Sequence, residues 1–266
     1  MSRVLILCND IKKCNDTILR ASKVAKNLGA KATILFVHEP DFFDIFDFKK
    51  DNSLDKEAVK KHLQTIANEA GLEDSAVIVE IGDSANWVEL ESKREEDTII
   101  ITSYEDKITN SVIKAVDIPI LILKNSKSNC KRLLIATDAQ EFTKPLTLLD
   151  KLGCNVKLAY YDTQLIPIPT LNSGVEFVGT IDIDVELYQE EVDSIEKNFK
   201  NFCKEYNIEA IFNTNEESVD INVLAQVLEN GADTLSIILE DRESLLSAYV
   251  EDIVNRANVN LFIATN

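Results

Sequence analysis

Residues Glu96–Ile122 read EDTIIITSYEDKITNSVIKAVDIPILI, and this stretch decides the fold. Its apolar core, Thr98–Ile101, has the unbroken character of a parallel strand buried on both faces. A connector and a helix over Asn110–Val116 lead to a second such strand, Ile120–Leu123. The connector falls at the carboxyl end of the sheet, where open α/β folds bind their ligands. Nucleotide-binding chains place glycines there, yet none occurs between Gly82 and Gly153.

Working toward the amino terminus, the same alternation repeats. Arg3–Asn9 (RVLILCN) opens as an interior strand, and Asn15 or Asp16 is expected to cap the following helix. Ile18, Ala21, Val24, Ala25 and Leu28 form that helix's apolar stripe, and Gly29 ends it. Ala32–Val37 is a second strand, Leu54–Ala70 a helix, Val77–Ile81 a strand and Ser84–Arg94 a short helix. Strands alternating with helices predict a parallel sheet covered on both faces.

Asn125–Asn129 (NSKSN) lacks apolar anchors and reads as a linker, after which the chain begins again. Arg132–Asp138 matches Arg3–Asn9 at an offset of 129, and Gly231–Leu235 echoes Glu95–Ile99 at 136. Leu152–Val156 matches Leu28–Ala32 at 124, which predicts a second copy of the first helix shorter by five residues. Like strands in like order are the mark of a tandem duplication. Tyr188, Val192, Ile195, Phe199, Phe202 and Tyr206 form the core stripe of a long helix in the second copy.

The chain has 266 residues, 45% of them hydrophobic, enough to bury a sizeable core. Its 46 acidic and 28 basic residues give a formal charge of −18, which opposes binding to nucleic acid or to an anionic membrane. No apolar run approaches the roughly 20 residues of a membrane span, and the first strand begins too early for a signal peptide. The five cysteines are scattered without a CxxC pair, so neither a disulfide framework nor a zinc site is expected, and a reduced cytoplasm is the simplest setting.

Each half resembles a universal stress protein domain. Ala30–Pro40 (AKATILFVHEP) resembles that family's second strand, and Gly82-Asp83-Ser84 its turn before the third helix. Asp97–Ile101 and Asp233–Ile237 are similar to its fourth strands, and Ile118–Ile122 (IPILI) to its last. The resemblance implies two α/β domains, 1–127 and 128–266, each a five-stranded parallel sheet in the order 3-2-1-4-5. They would pack as an intramolecular pseudo-dimer across the last strands, Ile118–Leu123 and Val259–Ala264, and a further homodimer is compatible with this. ATP-binding members of the family carry G-x2-G-x9-G-[ST] after the fourth strand, because glycine lets backbone N–H groups approach phosphate closely. Here the two leading positions hold Thr102 and Glu105 in the first half, and Ile238 and Asp241 in the second. The third glycine position of the second half falls on Ser247, and the first-half loop is about nine residues too short. Both phosphate sites therefore read as lost, and no cofactor is expected.

The family's first-strand Asp survives as Asp138, with Asn9 and Asp10 at the corresponding place in the first half. By resemblance these three are the candidate adenosine contacts. The alternative for Asp138 is a helix cap, a role Thr143 would serve equally. His38 and His62 lie on different elements without convergent partners, as a catalytic or metal site would need. Asp182, Asp184 and Glu186 alternate like ligands for a hard cation, or like a solvated acidic edge or helix start. Asp41–Phe48 (DFFDIFDF) and Leu165–Asp184 both follow a second strand and overhang the ligand edge. The first is either a lid or docking surface, or a closure of the core or a dimer seam; the second has two segments that could pair as a hairpin. No nucleophile–base pair or carboxylate dyad is readable, so no enzyme is expected. The function expected is that of a non-catalytic stress-response or interaction protein with an unknown protein partner. The alternative is a degenerate binder of AMP, adenosine or another small ligand.

Overall fold

In the computed structural model, residues 3–40, 54–125, 130–154, 156–162, 185–214, 218–241 and 248–266 are described. Both inserts, most of the 125–129 linker, Ser247, Asp182 and Asp184 lie outside them. The first half runs β1 (Arg3–Cys8), α1 (Ile11–Leu28), β2 (Lys31–His38), α2 (Lys56–Glu69), β3 (Ala76–Ile81), α3 (Ser84–Ser92), β4 (Thr98–Ser103), α4 (Asp106–Ala115) and β5 (Ile120–Leu123). The second runs β6 (Leu133–Thr137), α5 (Thr143–Lys151), β7 (Val156–Asp162), α6 (Val185–Glu205), β8 (Glu209–Asn213), α7 (Val219–Glu229), β9 (Thr234–Leu239), α8 (Ala248–Arg256) and β10 (Asn260–Thr265). Glu186, expected on a strand face or at a helix start, lies in the first turn of α6.

All ten strands form one sheet in the order β3-β2-β1-β4-β5-β10-β9-β6-β7-β8. Each half thus has the expected order 3-2-1-4-5. Every pairing is parallel except the central one, where β5 and β10 meet antiparallel with Leu121 opposite Phe262. These are the two strands expected at the seam. The halves join edge to edge rather than face to face, because an uncovered last strand offers a row of unpaired backbone groups that the other half completes.

The core follows from period-two alternation. Val4, Ile6 and Cys8 of β1 face one layer, while Leu5 and Leu7 face the other. Both layers are apolar, so the strands read as unbroken hydrophobic runs. The second half fills its layer with aromatics: Tyr161 stacks on Phe212 at 5.0 Å and Phe142 meets Phe202 at 4.6 Å. The α6 stripe is buried at Val192, Phe199 and Phe202, but its last member, Tyr206, is exposed past the helix end.

Three helices differ from expectation. Helix α1 starts at Ile11 because the Asp10 carboxylate accepts from the Lys12 N–H at 2.9 Å; Asn15 and Asp16 instead lie on its exposed face. Helix α4 begins at Asp106, four residues early, because the Glu105 N–H donates to Thr109 Oγ1 at 2.8 Å. Helix α5 has 9 residues against 18 in α1, a larger difference than the five expected. Pro145 sets its start: it has no N–H to give, and only in the first turn is none required.

The cysteines also depart from expectation, since Cys130 and Cys154 form a disulfide. They lie 24 residues apart in sequence, but the start of β6 and the turn after α5 converge, leaving the Cα atoms 4.8 Å apart. Cys8, Cys14 and Cys203 are buried free thiols, and burial pushes the Cys203 pKa up to about 12. Among the described residues no helix is long and apolar enough to cross a membrane.

Candidate functional site

The carboxyl ends of the first-half strands carry the first candidate site. Strand β4 ends at Ser103 and α4 starts at Asp106, so the connector is Tyr104-Glu105 alone. The Glu105 carboxylate accepts from Asn9 Nδ2 at 3.0 Å and pairs with Lys13 Nζ at 3.0 Å. Asn9 follows β1 and Lys13 is in α1, so Glu105 ties the first and fourth strand–helix units together across this edge. Thr17 and Ser103 hydroxyls bond to each other just below. Of the sequence candidates, Asn9 is held by Glu105, and Asp10 is the α1 cap.

Beside this knot lies a pocket of ≈ 640 Å³ lined by Lys12, Lys13, Arg20 and Lys124, with Asp16 its only carboxylate among the described residues. The Lys124 ammonium donates to the Val254 carbonyl at 2.5 Å and stands 3.8 Å over the Tyr104 ring. Burial pulls its pKa down to about 8, against the opposing pull of the Asp106 charge. Lys124 is therefore expected to titrate near pH 8, while ordinary lysines hold their protons to about 10.4. A ¹³Cε NMR titration checks this; a midpoint above 10 would mean that the ammonium is solvated.

The second-half edge is built differently. Asp138, the third candidate, is buried at the end of β6, and its carboxylate accepts from the Glu240 N–H at 2.7 Å. It ties the end of β6 to the residue after β9. It does not cap α5, whose N-cap is Phe142 without a side-chain bond; Thr143 is that helix's first residue. Ile238 is buried within β9 and Asp241 lies just beyond it. Near Asp138, burial holds the Tyr161 hydroxyl well above its usual pKa, and the charges of Asp138 and Glu240 reinforce this. Asp162, fully buried, accepts from Tyr160 Oη at 3.1 Å and from Asn213 Nδ2 at 3.0 Å. Sequence reading missed Tyr161 and Asp162. The available signal was an acid ending the run LAYYD at the carboxyl end of the strand.

His38 is half-buried at the end of β2 and His62 is exposed on α2. Among the described residues no group of three or more His, Cys, Asp or Glu is arranged to hold a metal ion.

With this geometry in view, the chain is similar to a universal stress protein from Archaeoglobus fulgidus DSM 4304. The TM-score is 0.61 at 14% identity, covering 99% of this chain and 96% of that one. A protein from Pseudomonas aeruginosa PAO1, described as functionally unknown, gives a TM-score of 0.62 at 10% identity over 100% and 92%. A third structure, from P. aeruginosa UCBPP-PA14, gives 0.64 at 10% over 100% and 93%. No protein-family model and no curated protein matches the chain. The likeness is therefore one of fold: an α/β chain folded like a universal stress protein over nearly its whole length.

Proposed function

We propose that this is a non-catalytic protein of the universal stress type, acting in a stress response through interaction with another protein and not through ATP. The observation that carries the reading is the two-residue β4–α4 connector with the Glu105 carboxylate held between Asn9 and Lys13. A phosphate at this edge would need converging backbone N–H groups. Instead, the Glu105 N–H is taken by Thr109 Oγ1, and the Glu105 carboxylate occupies the connector that a phosphate would have to approach. Like charges a few Å apart oppose one another by a few kcal/mol at intermediate dielectric. In the second half, Asp138 is already engaged by the Glu240 backbone.

A second reading, AMP or adenosine binding, draws support from the lysine-lined pocket beside Glu105. A thermal-shift titration with ATP, AMP and adenosine separates the two. A ligand at 100 times its Kd stabilises the native state by about 2.7 kcal/mol, a shift that is easily read. No shift with any of the three is expected. A shift with AMP or adenosine alone would favour the second reading, and a shift with ATP would overturn the first.

A further inference from the structure

The seam between the halves is closed on one side of the sheet and open on the other. On the closed side α4 and α8 pack together: Lys114 pairs with Glu251 at 2.7 Å, and Asn110 Nδ2 donates to Asn255 Oδ1 at 2.9 Å. On the other side, α1 and the short α5 flank a cavity of ≈ 430 Å³ over β5 and β10. Its floor is Leu121, Leu123 and Phe262, and Val24, Leu149 and Leu152 form apolar walls. The Cys130–Cys154 disulfide completes one side.

The polar groups at this cavity are unusual for the chain. Although the protein carries 46 acidic residues, the described lining contains two cations, Arg20 and Lys23, and no carboxylate. Arg20 is held in place by the Asn125 carbonyl at 2.9 Å and Asn260 Oδ1 at 3.1 Å, and its Nη1 stands 3.6 Å from the exposed Asp16 carboxylate outside the cavity lining. Lys23 is exposed at the rim and takes part in no ion pair among the described residues. The net charge of −18 does not forbid an anion here, because charges more than a Debye length of about 8 Å away are largely screened. A cavity of this size whose lining is more apolar than polar, with a few fixed polar groups, has the build of a small-molecule site.

We propose that the seam cavity binds an amphipathic organic anion, a medium-chain carboxylate or similar, with its apolar body against the half-buried Val24, Leu121 and Leu152 and its charge at Arg20 and Lys23. The cavity shares Arg20 and Leu123 with the lysine-lined pocket beside Glu105 but opens over the join of β5 and β10, and the proposal does not depend on the proposed function.

The test uses the full chain under non-reducing conditions, with 8-anilinonaphthalene-1-sulfonate as fluorescent probe and decanoate as competitor. One saturable site per chain, displaced by decanoate, is expected. Lys23→Glu reverses an exposed charge and should weaken the sulfonate about tenfold, while leaving neutral N-phenyl-1-naphthylamine unchanged. Val24→Trp or Leu152→Trp, each from a half-buried wall position, should fill the cavity and remove binding of both probes. Whichever tryptophan variant keeps the wild-type melting temperature is used. Absence of saturable binding, binding that survives the tryptophan, or a sulfonate affinity unmoved by Lys23→Glu would each overturn the proposal.

Discussion

Glu91→Ala is expected to destabilise the protein by about 3–5 kcal/mol, the range for removing one partner of a buried ion pair. Arg3 and Glu91 side chains are 4% and 1% exposed and meet at 3.0 Å. Arg3 also donates to the Glu91 carbonyl at 2.7 Å and to Thr33 Oγ1 at 3.1 Å, so one guanidinium clamps β1, β2 and α3. Arg94 reaches the other Glu91 oxygen at 3.0 Å. Truncating Glu91 leaves the Arg3 charge buried without its counter-ion, and desolvation of that charge dominates the cost. An Arg3→Met, Glu91→Leu double variant should cost much less, since the apolar pair carries no such penalty. Urea denaturation of the three proteins checks the order. A single variant within 1 kcal/mol of wild type would mean that water reaches the pair.

Phe262→Ala is the second large effect, expected at about 3–5 kcal/mol. Phe262 is fully buried on β10, opposite Leu121 across the antiparallel seam. The lost ring forfeits its transfer free energy and leaves space that the two β-strands cannot close without breaking their pairing. Because the sheet runs unbroken through this point, the whole chain is expected to unfold in one transition whose midpoint falls with the substitution. Circular dichroism and tyrosine fluorescence should then give coincident urea curves. Separate transitions, with only one moved by the substitution, would mean that the seam joins two independently stable halves.

Much of this architecture was legible along the chain. Arg3–Cys8 and Thr98–Ser103 are interior strands whose residues face apolar layers on both sides, and such strands announce themselves as unbroken hydrophobic runs. Gly29, at φ 60°, ends α1 where expected, because the left-handed conformation there is a local requirement that glycine meets. Helix starts were less legible. Asn15, Asp16 and Asp10 are all competent caps by type, and only the backbone before Ile11 selected Asp10. Pro145 was a visible signal for the late start of α5, outweighed in the sequence reading by the match at Leu152-Gly153.

The candidate sites were half legible. That Thr102, Glu105, Ile238 and Asp241 are not glycines is a matter of residue type and needs no coordinates. What Glu105 and Asp138 do instead required the fold. Their partners, Asn9 and Glu240, lie 96 and 102 residues away, and strand register brings them within hydrogen-bond reach. The same holds for Cys130 and Cys154 and for Lys124 over Tyr104.

By itself the sequence determined the alternation of strand and helix, the repeat of that pattern, and the absence of glycines after the fourth strands. Each of these is a local matter of hydrophobic period or backbone freedom. Only the tertiary structure decided that β5 and β10 pair antiparallel into one ten-stranded sheet, and that a cavity with two cations and no described carboxylate lies over their join. Those outcomes depend on which distant surfaces meet when the edge strands satisfy each other's backbone groups, and no local pattern encodes that meeting.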